Sequence, residues 1–191
     1  ELSGSVFGAL CGERIDSGAH SLRRRREAVR VPMLPFPPEE ALRQKISALF
    51  EGYRAETDAV AKRILLRDLR WHRMALERVR AGETENSLEV PVEALRLSDK
   101  LILIFLPFEP LTETGNAVEA VLRELGYPPE GIFVVGYAND TAGYLAPASI
   151  IGSDLYEAEM AAHWYGLPQC SSGSEPAVLA AVTRLAEDVS G

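Results

Sequence analysis

Leu101-Ile102-Leu103-Ile104-Phe105-Leu106, followed at once by Pro107-Phe108-Glu109-Pro110, is the stretch on which the fold turns. A short apolar run that stops at prolines reads as a buried strand and its end. Beyond it, Leu111, Val118, Val121, Leu122 and Leu125 recur at helical spacing until Gly126, Pro128 and Pro129 break the pattern. A second strand follows at Ile132-Phe133-Val134-Val135, then a loop from Gly136 to Tyr144. Strand, helix and strand in this order predict a βαβ unit with parallel strands and a right-handed crossover. Parallel strands end at one edge of the sheet. Glu109 and Tyr144, each just past such an end, are therefore expected to converge at the crevice where these sheets place ligands.

Working outward, Ser87 to Leu97 alternates Leu88, Val90, Val92 and Ala94 with polar residues, which predicts a strand with one wet face. Ser98-Asp99-Lys100 turns it into the buried strand. Further upstream, Ala28 to Leu34 reads as an edge strand running into the proline-rich Pro35-Phe36-Pro37-Pro38. Between these two strands lies a predicted helical hairpin, at about residues 38–81. Its first helix starts at Pro38-Glu39-Glu40 and runs to about Gly52. Its second spans about Thr57 to Arg80, with a stripe of Leu65, Leu69, His72, Leu76 and Val79. Residues 2–17 place Val6, Ala9, Leu10 and Ile15 at near-helical intervals. Downstream, helices are expected from about Ser153 to Tyr165 and over an amphipathic closing segment opened by Ser174-Glu175-Pro176.

The length of 191 residues and the 47% hydrophobic content predict one domain with a substantial core. No apolar run is long enough for a membrane-spanning helix. The net charge of -8 conceals a division. Residues 1–81 hold 16 Lys plus Arg against 11 Asp plus Glu, a balance of +5, whereas residues 82–191 hold 4 against 17, a balance of -13. The acidic later part argues against nucleic acid as a partner. Arg23 to Arg26, the one basic cluster, could touch phosphates or a membrane surface, and reads first as a solvated turn leading into the edge strand. Cys11 and Cys170, far apart, form neither a zinc motif nor a disulfide framework. The chain opens at Glu1 inside a segment read as a helix, so a processed product or one segment of a longer polypeptide is expected.

On spacing alone, the Glu109 and Tyr144 pair is open to three readings: a general acid and base, part of a metal site, or a plain hydrogen bond. His72 sits in an apolar stripe and reads as a core or interface histidine with a satisfied nitrogen. His163 reads as a partly buried histidine near a helix end, Glu113 as compensation of a helix dipole, Tyr137 as a packing residue, and Asn139 with Gly143 as shapers of the loop that aims Tyr144.

The segments Leu106 to Gly115, Val135 to Leu145 and Tyr156-Glu157 resemble the C-terminal part of the catalytic domain of the neutral/alkaline, non-lysosomal ceramidase family and its bacterial relatives. That family's pattern has a glycine six residues after a turn glutamate, an asparagine five before a tyrosine, and a Tyr-Glu pair twelve after that tyrosine. These intervals hold from Glu109 to Gly115, Asn139 to Tyr144 and Tyr144 to Tyr156. The resemblance implies a zinc-dependent amidase of N-acyl bonds, acting on a lipid-like substrate such as ceramide. It implies Glu109 and Tyr144 as zinc ligands and Tyr156 as a catalytic residue near the metal that helps stabilise the tetrahedral intermediate. The family's other two ligands are histidines, and they and its serine nucleophile lie in the part of the domain preceding these motifs. Zinc would therefore need two further ligands outside this chain, from the N-terminal part of the same domain or a partner chain. The implied fold is α/β, a mixed sheet covered by helices, as the later half of a layered α/β/β/α domain. Phe108 stands where the family's turn has glycine, with a narrowed pocket or an altered turn expected, and Ala146-Pro147 removes a hydroxyl close to the metal position. The rival expectation is a catalytically inactive relative that serves as a binding or scaffold module.

Overall fold

The structure, a computed structural model, describes residues 20–83 and 86–191, so the helix expected over 2–17 and Cys11 lie outside the described residues. The main sheet has four strands. In chain order they are β1 (His20–Pro32), β2 (Ser87–Ser98), β3 (Leu101–Phe105) and β5 (Ile132–Val135), and they lie side by side in that same order. β1, β2 and β3 are antiparallel, while β3 and β5 run parallel with Ile102 opposite Ile132 and Phe105 opposite Val135. The sheet is thus mixed, as expected, and β1 is its edge.

Five α-helices complete the described part: α1 (Glu39–Ala55), α2 (Ala59–Arg80), α3 (Thr112–Glu124), α4 (Ala161–Tyr165) and α5 (Ser174–Ser190). α5 packs on β1 and β2, and α3 packs on β5 and α5. Their buried sides, Val118 and Leu122 of α3 with Val178, Ala181, Val182 and Leu185 of α5, join Val29, Val31, Val90, Val92, Ile102 and Ile104 in one core. Side chains of a strand alternate between faces, so burial of Val90 and Val92 sends Glu89 and Pro91 the other way. Pro91 pairs with Ala28 of β1 but lies where β2 extends beyond the reach of β3, whose pairing begins at Glu93, so the proline stands in the two-stranded part of the ladder.

The structure corrects two expectations. Arg23 to Arg26 are not a turn: they belong to β1 and pair with Arg96 to Glu93 of β2. The ladder of β2 accommodates them, and Glu93 clamps Arg24 at 2.6 and 2.8 Å. A charged outermost strand also opposes edge-to-edge association. The helix expected from about Ser153 to Tyr165 is reduced to α4. Upstream, the Ser153 hydroxyl bonds the Ile150 carbonyl at 2.6 Å and Gly152 has φ 86°, so local turns replace helix there.

The hairpin is formed by α1 and α2, with Asp58 capping α2 through the amides of Val60 and Ala61 at 3.0 and 2.8 Å. It has its own small core of Leu42, Trp71 and Ala75. It is tied to the rest by the Trp71 indole N–H, which donates to the Leu167 carbonyl at 2.7 Å, and by an aromatic cluster in which Trp71 stacks on His163 at 4.2 Å between centroids. Among the described residues no helix is long and apolar enough to cross a membrane.

Candidate functional site

Past the ends of β3 and β5 the two chain segments continue side by side. Leu106 N–H donates to the Val135 carbonyl at 2.9 Å, Ala138 to Leu106 at 3.0 Å, Tyr137 to Phe108 at 2.9 Å, Ala142 to Pro107 at 2.6 Å and Glu109 to Gly143 at 2.8 Å. Two features permit this approach. A Cβ on Gly136 would lie 2.7 Å from Pro110 Cδ and 3.0 Å from the Phe108 carbonyl, so only glycine fits there. Gly143 takes φ 74°, a left-handed conformation that favours glycine. The zipped segments end in a second, two-stranded parallel sheet of β4 (Glu109–Pro110) and β6 (Tyr144–Leu145), in which Glu109 stands opposite Tyr144.

The Glu109 carboxylate is the centre of a phenol cluster. Tyr165, the last residue of α4, donates its hydroxyl to Oε1, and the hydroxyls of Tyr137 and Tyr144 lie within hydrogen-bonding reach of the same carboxylate. Burial pushes the Glu109 carboxyl up, but hydrogen bonds from Tyr137, Tyr165 and Tyr144 outweigh it and hold the group below the usual carboxylate range. The hydrogen bond to Glu109, helped by burial, pushes the Tyr144 phenol up to about 12; the same partner raises Tyr137 and Tyr165. Tyr156 sits against Tyr144 edge to face, with centroids 6.0 Å apart, and is 39% exposed.

The expected neighbours are therefore together: Glu109, Tyr144 and Tyr156 form one surface cluster. Two members were not foreseen. Tyr137, read from sequence as a packing residue, is 61% exposed and faces Glu109 instead. Tyr165 gave no signal beyond its position just before the Gly166-Leu167-Pro168 stop. Phe108 is fully buried in the core, so its ring points away from the cluster and does not narrow it, and Ala146 is buried as well. Asn139, at φ 68°, does shape the loop, and its amide reaches Glu93 at 3.4 Å. The histidines lie elsewhere. His72 donates Nδ1–H to the Asp68 carbonyl at 2.7 Å and His163 pairs with the Asp68 carboxylate at 2.8 Å, both at the hairpin junction. Among the described residues no group of three His, Cys, Asp or Glu is placed to hold a metal ion.

The donor set of the cluster is one ionised carboxylate and several phenols, all oxygen. Such a set can bind a cation from one side. Glu109 favours the protonated phenol of Tyr144, whereas a cation at these oxygens would favour the phenolate.

No protein-family model matches the chain, and no curated protein matches it. A solved structure described as ceramidase complexed with C2 is similar at a TM-score of 0.40 and 22% identity. The similarity covers 51% of this chain and 14% of that one.

Proposed function

We propose that this chain carries half of the metal site of a zinc-dependent amidase, of the kind its motifs resemble. The observation behind the reading is the direct opposition of Glu109 and Tyr144 across the bridge between β4 and β6. Glu109, held ionised by its phenol partners, is ready to act as a ligand, and Tyr144 becomes one by giving up the proton that Glu109 retains. Tyr165 and Tyr137 orient the carboxylate as outer partners of metal ligands do. Tyr156, beside Tyr144 and exposed, can donate its hydroxyl to an oxyanion developing on the substrate amide. Bound zinc would supply polarisation of the amide carbonyl and a water of lowered pKa. The exposed Leu155 and Met160 flank Tyr156 and offer an apolar rest for an acyl chain, which favours a lipid-like N-acyl substrate.

Two further ligands come, in this reading, from outside the chain. The sheet has room for such a partner: Phe133 alternates with core-packed Ile132 and Val134 and is 48% exposed, on the face opposite α3 and α5. The decisive experiment measures zinc content and hydrolysis of an N-acyl lipid amide with the chain joined to the segment that supplies those ligands. Glu109→Ala and Tyr144→Phe should each lose zinc and lower turnover by roughly a hundredfold. Full zinc occupancy in both variants would sink the hydrolase and leave a binding module.

A further inference from the structure

We propose a second ligand site, for a phosphate group, at the junction between α2 and α4. It is independent of the Glu109 cluster and of the function proposed for it. The junction holds a cavity of about 210 Å³ lined by Arg63, Leu66, Arg67, Arg70, His163 and Trp164. Arg63, Arg67 and Arg70 are spaced four and three apart, so one face of α2 presents all three guanidinium groups.

Their partners leave positive charge over. Asp68 is the carboxylate paired with these groups, and it already serves two of them: Arg67, at 2.6 Å, and His163. Among the described residues no ion pair engages Arg63 or Arg70. Arg63 and Arg67 lie over the Trp164 ring at 5.9 and 4.8 Å, a contact that holds them at the cavity without neutralising them. Arg67 itself is only 8% exposed, a buried cation with a single shared counter-charge.

His163 is one of the lining residues. Its side chain is 7% exposed, and its Nδ1–H donates to Asp68 Oδ1 at 2.8 Å. Nε2 is buried and has no hydrogen-bond partner. Buried polar atoms without partners are rare and call for a ligand or a solvent molecule. With Nδ1 as the donor, Nε2 of the neutral ring presents a lone pair, and burial favours that neutral ring. The complement to this lining is a group with several anionic oxygens for the guanidiniums and one hydroxyl to donate to Nε2 once the side chains over that nitrogen shift. A protonated phosphate has both, whereas a carboxylate at neutral pH lacks the hydroxyl. The volume suits a small phosphate or the phosphate of a headgroup rather than a large ligand.

The test is calorimetric titration of the full chain with inorganic phosphate, beside co-sedimentation with phosphatidylcholine vesicles that contain phosphatidic acid. Arg63→Ala/Arg70→Ala changes two exposed residues and keeps the buried Arg67 and Asp68 pair, so the fold survives, as far-ultraviolet circular dichroism will verify. Arg54→Ala/Arg73→Ala removes the same charge elsewhere on the hairpin. Binding of free phosphate, weakened about tenfold or more by the first variant and little by the second, establishes the site for soluble phosphates. Vesicle binding alone with the same variant pattern establishes it for a lipid headgroup. Absence of both, or losses of equal size in the two variants, overturns the proposal.

Discussion

Glu109 and Tyr144 belong to different short strands, β4 and β6, that face each other across a parallel bridge, and the carboxylate of one favours the protonated phenol of the other. That relationship makes the tyrosine a reporter of the glutamate. Glu109→Gln replaces a charge with a neutral amide, and the Tyr144 phenol should fall from about 12 toward the ordinary value of about 10. Phenolate absorbance followed during alkaline titration reads the change directly. An alkaline titration curve identical to that of the parent would show that the two groups do not interact.

The same pair predicts how stability varies with pH. Glu109 has a folded pKa below its unfolded value of about 4.3, so its contribution is present above that pH and is lost as pH falls through the folded value. Tyr144 has a raised pKa, so its contribution is complete below about 10 and is lost as pH climbs through about 12. At neutral pH, Glu109→Gln should melt about 4 °C below the parent, and the difference should shrink in acid. Parallel melting curves at every pH would contradict this.

The core of this arrangement was legible because periodicity and chain direction suffice for it. Alternation in Ser87 to Leu97, the apolar run at Leu101 and the strand at Ile132 lead directly to a parallel β3 and β5 pair and to two loops at one edge. Tyr165 was not legible, because it reaches Glu109 through tertiary packing of α4 and no local spacing links them. The helix expected before it failed for a local reason: Ser153 and Gly152 favour turns that an apolar pattern does not register. Arg23 to Arg26 misled in the opposite sense, since charge suggests a turn while the neighbouring strand dictates extension. His163 read correctly as partly buried, but its unpartnered nitrogen needed coordinates.

Gly136 governs the spacing between the loops. Gly136→Ala would drive a methyl group to within 2.7 Å of Pro110, a ring that cannot rotate away, and to within 3.0 Å of a backbone oxygen. The segments must part, at a cost of about 1–3 kcal/mol. Because the displacement falls on Phe108 and Pro110, the two neighbours of Glu109, Glu109 should shift and Tyr144 should also lose part of its raised pKa. Chemical denaturation gives the first quantity and alkaline titration the second; a variant as stable as the parent would mean that the loops do not need this approach.

Asp68 is the other residue on which several groups converge. Its carboxylate pairs with Arg67 at 2.6 Å and with His163 at 2.8 Å, and its carbonyl accepts from His72. Asp68→Ala leaves the carbonyl but strands the buried Arg67 cation and the His163 N–H. Removing one partner of a buried ion pair costs about 3–5 kcal/mol, well above the worth of a surface pair. Asp68→Asn keeps an acceptor for His163 while losing the charge, and should fall between the parent and the alanine variant. Since α2 and α4 meet here, the loss should register first as faster amide exchange along Ala59–Arg80, with the sheet amides of β2 and β3 protected for longer. Uniform loss of protection across hairpin and sheet would instead mean that the junction and the core unfold as one unit.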